Sequence, residues 1–417
     1  MFRRVAGVAL TTSAMFLIMV AVMLNSSALF YMGTAIIATI GASRLQAWLS
    51  VKGLKFERVT PERAQVGELV TAELIVWSDR RIRRPLITVT DILPPRLVHS
   101  DRSRSLPIAP AYDVPIRTQY RFRPLKRGRF KWSSLEVTGT DALGLVSMVR
   151  NYSTADAAEI LVVPNPRPLD IDLPAASGWG TSETEHGQAR GAGIEPRGVR
   201  EYVSGDSLRY VHWRSSARRG HLLVKEFETG SHATIGFAIQ HGRGTEIGNG
   251  ANTTLERICS HAAYLSEQLL RNGALVVVAG EEGAKHSGAP HERQQQVLAA
   301  LAEIEIDDSV VSSDLLEVIR QVPRGGLVYI MVSMADEQLP GVISQASGLG
   351  ISVAMLVYDP IDYLEEGRRG IALGGLQLSS RPRRHVLNGT PATDGKFVAD
   401  CEAAGATVVM VPYGEPQ

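Results

Sequence analysis

Cysteine is almost missing from this chain of 417 residues, with only Cys259 and Cys401 present. That excludes a disulfide framework and a cysteine-rich zinc site. Aromatic residues are sparse at 6%, and net charge is nearly absent, with 44 Lys+Arg against 43 Asp+Glu. A charged fraction of 21% nevertheless argues against disorder, and a mean hydropathy near zero argues against a polytopic membrane protein. The length suits two or three ordinary domains with full cores. The most informative absence is local: from Val5 to Ser43 there is no Asp, Glu, Lys or Arg.

Val5 to Leu24 is long enough, as a helix, to reach roughly 30 Å, the thickness of bilayer hydrocarbon. Asn25, Ser26 and Ser27 interrupt it, and Leu29 to Ala42 is apolar again, shorter and diluted by Thr34, Thr39 and two glycines. The pattern predicts a transmembrane helical hairpin over residues 1–55 with its membrane-proximal segment. A cleaved signal peptide is the competing reading, with Arg3 and Arg4 as its basic start, but secretory apolar cores are usually about 7–15 residues and no second run follows them. Arg3 and Arg4 precede the hairpin, Arg44, Lys52 and Lys55 follow it, and the turn carries no cation, so both ends are expected to face the cytoplasm. Two cysteines without a disulfide pattern agree with a reducing compartment. The expected location is therefore the plasma membrane, with the soluble body cytoplasmic.

Residues 56–165 alternate in period two between frequent turns. Leu69 to Trp77, Leu86 to Thr90, Tyr120 to Arg123, Leu135 to Val137 and Glu159 to Val163 read as strands, punctuated by prolines and Gly128. This predicts an all-β immunoglobulin-like sandwich. Between residues 56 and 150 it carries 17 Lys+Arg against 10 Asp+Glu. An anionic inner leaflet accounts for basic loops so close to a membrane helix. Nucleic acid is the other explanation, but no aromatic-rich or glycine-flanked RNA signature accompanies the charge.

Residues 166–228 form a linker and a dense polar motif. Ser177 to Gly193 is rich in Gly, Ser and Thr and reads as an exposed loop. Next comes Gly193-Ile194-Glu195-Pro196-Arg197-Gly198-Val199-Arg200-Glu201-Tyr202, followed by Ser204-Gly205-Asp206, Arg209, His212-Trp213-Arg214-Ser215-Ser216-Ala217-Arg218 and a strand through Leu222 to Glu228. Arg200, Arg209, Arg214 and Arg218 alternate with Glu201, Asp206 and Glu226, the makings of a bidentate guanidinium–carboxylate lattice. Trp213 reads as an anchor for the segment. Such a network either braces the backbone or forms a recognition surface. Asp206, His212 and Ser215 also include the side-chain types of a hydrolase triad, but ten residues leave little room for the convergence and no strand-turn-helix elbow is present.

This stretch resembles the signature of the domain-of-unknown-function 58 family, roughly G.E..GVREY..GD..R.IHW..SAR.G.L.VKEFE, over some 35 residues. Asp141-Ala142-Leu143-Gly144-Leu145 is similar to an Asp-Pro-Phe-Gly-Leu turn often seen in that family's β-domain. The resemblance implies a membrane-associated protein with a C-terminal von Willebrand A-like domain. It also implies association with a MoxR-type AAA+ ATPase and, in some bacteria, with a transglutaminase-like membrane protein. It implies no known reaction.

From residue 229 to 417 the balance reverses, with 13 Lys+Arg against 22 Asp+Glu. Strands at Ala233 to Gln240, Ala274 to Ala279, Leu327 to Val332, Ile351 to Tyr358 and Ala406 to Val411 alternate with helices. The helices fall at Thr253 to Arg271, Glu292 to Glu303, Ser312 to Gln321, Glu337 to Ser347 and Thr393 to Ala403. Apolar strand runs between helices predict a parallel sheet covered on both faces, a Rossmann-like α/β domain. A von Willebrand A domain would hold Mg²⁺ through Asp-x-Ser-x-Ser after its first strand, where hard oxygen ligands suit the ion. Here that strand ends Ile239-Gln240-His241-Gly242-Arg243-Gly244, and neither metal nor cofactor is expected. Ser333 and Asp336 read as turn residues, and His241 and His261 as surface or core residues.

The function expected is a membrane-tethered, non-enzymatic adaptor. Arg200, Glu201, Asp206, Arg209, Trp213, Arg214, Arg218 and Glu226 are its docking or bracing residues, and a MoxR-type ATPase and anionic lipid its partners. A hydrolase acting on a cell-envelope precursor and a nucleic-acid binder using the β-domain are the alternatives.

Overall fold

A computed structural model describes residues 2–81, 86–98, 103–169, 171, 196–201, 212–227, 234–279, 290–308, 310–366, 387 and 389–414. These divide into two compact units, Met1–Val163 and Pro164–Gln417.

The first unit opens with α1 (Phe2–Met23) and α2 (Ser27–Ser50). Asn25 takes a left-handed conformation at φ 52°, and Ser26 N–H donates to Ala21 O at 2.9 Å, so the chain reverses within three residues. The helices run antiparallel, with Gly33 of α2 against Ile18 and Ala14 of α1. The α2 helix is long and apolar enough to cross a membrane; the apolar stretch of α1 among the described side chains, Val8–Met23, is shorter. Arg44 and Gln46 end the apolar run but not the helix. Ser43, Ala47 and Ser50 make a buried stripe that carries α2 two turns further, onto the β-domain.

That domain is a sandwich of β1 (Leu54–Val59), β2 (Arg63–Gln65), β3 (Val70–Ser78), β4 (Ile87–Ile92), β5 (Ser103–Ile108), β6 (Ile116–Phe122), β7 (Gly128–Thr140) and β8 (Ser147–Val163). One sheet has the order β1-β3-β6 and the other β2-β8-β7-β4-β5. Alternate residues such as Ala72, Tyr120 and Phe122 from the first sheet meet Phe130, Trp132 and Ile160 from the second. The long β7–β8 hairpin reaches past the sandwich to α2. At Gly139 an added Cβ would fall 2.0 Å from Ser50 Oγ and 2.7 Å from Val51, so glycine lets the strand lie against the last turn of the helix. Tyr152 OH donates to Val51 O, and Ala142 N–H donates to Gln46 Oε1 at 3.1 Å. The helix and the sandwich are thus continuous, with no loose tether between them.

The second unit holds β9 (Pro196–Glu201), α3 (Trp213–Arg219) and β10 (Leu223–Phe227). They are followed by β11 (Thr234–Ile239), β12 (Gly248–Asn249), β13 (Asn252–Thr253), α4 (Thr254–Arg271), β14 (Leu275–Val278), α5 (Pro290–Glu303) and α6 (Val311–Gln321). The remainder is β15 (Leu327–Val332), α7 (Leu339–Gly348), β16 (Ser352–Tyr358), α8 (Pro360–Glu366), α9 (Gly395–Ala403) and β17 (Ala406–Val411). Five strands form an all-parallel sheet in the order β14-β11-β15-β16-β17. Successive residues of each strand turn to opposite faces. Phe237, Tyr329 and Leu356 pack under α4 and α5, whereas Ala238, Ile330 and Met355 pack under α6, α7 and α9. Gly236 permits the closest of these approaches, since a Cβ there would lie 2.2 Å from Val318 of α6. The strand order reverses between β11 and β15, and in open α/β sheets the carboxyl ends at such a point form the natural crevice.

Candidate functional site

Two regions hold polar side chains in a defined arrangement. The first is the motif between β9 and β10, which pair antiparallel with Glu201 opposite Leu223, Arg200 opposite Val224 and Gly198 opposite Glu226. Asp206 and Arg209 lie outside the described residues, as does the Ser177–Gly193 loop. Arg200, Glu201 and Glu226 are placed by their backbone in the two strands.

Within the bracket sits α3, a helix of two turns fixed by its own polar residues. His212 is its N-cap, and His212 Nδ1 accepts from Ser215 N–H at 3.1 Å. His212 N–H donates to Leu223 O at 2.8 Å. Ser216, buried, donates its hydroxyl to His212 O at 3.1 Å and accepts from Leu223 N–H at 2.8 Å. Gly220, left-handed at φ 76°, closes the other end. Capping of this kind satisfies backbone donors that a short helix leaves open. His212 and Ser216 therefore tie α3 to β10, and Ser215 meets the imidazole through its backbone amide. Ser216 was not singled out in the sequence; only its position one turn after His212 hinted at the role.

Trp213 does not anchor its segment. Its side chain is 64% exposed, and Arg214 and Arg218 are exposed beside it. The bracing in this motif comes from histidine and serine, which leaves an aromatic ring and two guanidiniums facing outward. Such a set can stack, pair with carboxylates and bury apolar area.

The second region is the carboxyl end of β11 and β15. Gln240 stands there, buried, and both ends of its amide are engaged: Oε1 accepts from Ser333 N–H at 2.9 Å and Met334 N–H at 2.8 Å, while Nε2 donates to Met334 O at 2.8 Å. Ser333 Oγ donates to Thr245 O at 3.0 Å. Asp336 accepts from Ser312 N–H at 3.1 Å and Gln338 N–H at 3.0 Å, which orders the starts of α6 and α7. Gln240 thus knits the first and third strands of the sheet together.

At the rim, His241 lies 3.4 Å from Asp314 Oδ2 and 3.5 Å from Asp307 Oδ1. Burial raises the Asp314 carboxyl to about 6, further helped by Asp307 and Glu317 and opposed by His241. His241 is accordingly not a plain surface residue, and nothing in the sequence links it to a carboxylate 73 positions away. His261 is a core residue: burial lowers its pKa to about 3, and its Nδ1 lies 3.0 Å from Tyr358 OH. Among the described residues, no group of three or more His, Cys, Asp or Glu side chains could hold a metal ion.

Residues 198–364 match the family described as "Protein of unknown function DUF58". The match begins in β9 and ends in α8, so it covers the α3 bracket and four strands of the parallel sheet. No curated protein matches the chain. Among solved structures, the CARDB domain of the PF1109 protein of Pyrococcus furiosus is 16% identical, covering 26% of this chain and 91% of that one, with a TM-score of 0.18. The PKD domain of an M14-like peptidase from a Thermoplasmatales archaeon is 9% identical, covering 24% and 94%, with a TM-score of 0.15. The GH20 exo-β-N-acetylglucosaminidase of Vibrio harveyi is 8% identical, covering 74% and 57%, with a TM-score of 0.19. Likenesses this weak carry no argument about fold or activity.

Proposed function

We propose that this protein is a membrane-tethered, non-enzymatic adaptor that presents its α3 motif to a protein partner. The observation that carries the reading is the division of labour within α3. His212 and Ser216 hold the backbone, while Trp213, Arg214 and Arg218 are left in solvent. The imidazole serves the backbone here, its Nδ1 capping the helix. Exposed Trp beside Arg is the composition of an interface hot spot.

The partner we assign, from the resemblance of the motif, is a MoxR-type AAA+ ATPase, with a transglutaminase-like membrane protein as a second member of the assembly. We read the second unit as a von Willebrand A-like domain in which Gln240 occupies the place of the metal-binding aspartate, and the first as an immunoglobulin-like sandwich. Both α1 and α2 are assigned as spans, with the body cytoplasmic. Arg3 and Arg4 at the start of α1 fall at the same end of the antiparallel hairpin as Arg44 and Lys52, and basic residues favour the cytoplasmic side and its anionic lipid.

Two experiments test this. Full-length protein in detergent is expected to capture the purified ATPase, and Trp213→Ala to weaken capture at least about tenfold, the scale of a hot-spot loss, without leaving the membrane fraction. Undiminished capture by Trp213→Ala would refute the docking role. Sidedness needs an introduced thiol, because Cys259 and Cys401 are both buried. Leu69→Cys, at an exposed position, is expected to resist an impermeant maleimide in intact cells and react after lysis; labelling in intact cells would put the sandwich outside.

A further inference from the structure

The turn joining β7 to β8 is tied to α2 at a defined depth. Ala142 N–H donates to Gln46 Oε1 at 3.1 Å, and the Asp141 carboxylate lies near the hydroxyl of Ser43, the last residue of the charge-free N-terminal stretch. Arg44 lies between these two attachment points. With about 1.5 Å of rise per residue, the turn therefore sits within one helical turn of the place where uncharged helix gives way to cations. The turn is rigid. Asp141 Oδ1 accepts from Val146 N–H at 2.8 Å and Oδ2 from Leu143 N–H at 3.2 Å, and Gly144 is left-handed at φ 69°. Burial alone would raise the Asp141 pKa, but these amides and Ser43 hold it below the ordinary carboxylate value. The side chain the turn displays is apolar: Leu143 is 65% exposed, and Val149 on the adjoining strand is 58% exposed.

From this depth and this exposure we infer that the β7–β8 tip, led by Leu143, is buried in the interfacial layer of the bilayer beside α2. The inference rests on the reading of α2 as a membrane span. A leucine held rigidly in water would gain nothing from exposure, whereas at the headgroup–acyl boundary it is buried by lipid. Trp48 and Lys52, whose ammonium lies 3.5 Å from the indole centroid, mark the same interface on the helix. The occupant is lipid and not a protein, because the helix that fixes the tip's depth is the one that enters the membrane. The result would be a three-point contact, with α1, α2 and the hairpin tip, that fixes the sandwich in one orientation.

The test places one environment-sensitive fluorophore on Leu143→Cys or, as the control, on Leu69→Cys. Leu69 is exposed and precedes β3, at the end of the sandwich away from Ser50. Cys259 and Cys401 are 0% exposed, so the unsubstituted chain, carried in parallel, should take up no label. Full-length protein is reconstituted in phosphatidylcholine–phosphatidylglycerol vesicles and co-floated with them. The expected result is blue-shifted emission at position 143, quenched by lipid carrying a nitroxide near the top of the acyl chain severalfold more than at position 69. Co-flotation with position 143 as wet as position 69, or shielded but unquenched by the nitroxide lipid, would overturn this inference alone. A chain that does not co-float would overturn the membrane reading and this inference with it.

Discussion

Arg58 and Asp91 form a bidentate ion pair across the interior of the sandwich, at 2.9 and 2.7 Å, with neither side chain exposed to solvent. Arg58 belongs to one sheet and Asp91 to the other. Tyr120 OH donates to Asp91 Oδ2 at 2.6 Å, and Arg58 also donates to Trp132 O at 2.9 Å, so four residues from both sheets share one polar knot. Removing one member strands a buried charge. Asp91→Ala is expected to cost about 3–5 kcal/mol, and replacing both charges together by Arg58→Met and Asp91→Leu considerably less. Equilibrium unfolding of the detergent-solubilised chain measures both; a double variant no more stable than Asp91→Ala would show that a stranded charge is not what the single substitution costs.

Gly139 predicts a packing failure of another kind. Gly139→Val places branched carbon where Ser50 and Val51 already are, with the first atom 2.0 Å from Ser50 Oγ. Overpacking of this sort costs about 1–3 kcal/mol. The expected readout is faster amide exchange at the last turn of α2 and at the facing strand, with the parallel sheet unaffected.

The amide of Gln240 should not tolerate an isosteric acid. Gln240→Glu replaces the donor to Met334 O with an oxygen and brings an unpaired buried charge to the end of β11. A loss of about 2–4 kcal/mol at pH 7 is expected, shrinking in acid as the carboxyl takes a proton. Thermal unfolding across pH 4–8 would check this.

Asp314 gives a dependence of opposite benefit. Its folded pKa, about 6, lies above the ordinary carboxylate value of 3.8, so the folded state binds the proton more tightly than the unfolded chain does. The penalty is absent below the unfolded pKa, grows as pH rises towards 6, and is complete above it. Asp314→Asn is therefore expected to stabilise the protein by about 1–2 kcal/mol at pH 7, allowing for solvent screening, and to make no difference near pH 4. A stabilisation independent of pH would dissociate the effect from this carboxyl.

Much of the parallel sheet was legible because buried strands are continuous apolar runs. Leu327–Val332 and Ala406–Val411 have the bounds their sequence announces, and the helices between them repeat an apolar face. The sandwich was less legible. In β1, Leu-Lys-Phe-Glu-Arg-Val alternates, but one of its charged residues, Arg58, points inward to a partner 33 positions away, and no local pattern signals that. Nor does hydropathy mark the end of α2. Arg44 and Gln46 stop a hydropathy reading, whereas the helix follows its stripe of small residues to Ser50. In the α3 motif, the sequence drew attention to the right stretch and gave Trp213 the wrong task. Large aromatics are commonly anchors, and here two hydrogen-bonding residues, His212 and Ser216, do the anchoring.

The unbroken passage of α2 into the sandwich makes the pair a lever. A helix spanning hydrocarbon of changing thickness adjusts by tilting, and a flexible joint would absorb that movement at the surface. With Ser50 seated on Gly139 and Tyr152 bonded to Val51, any lean of α2 under the proposed membrane reading would be handed directly to the eight strands beyond.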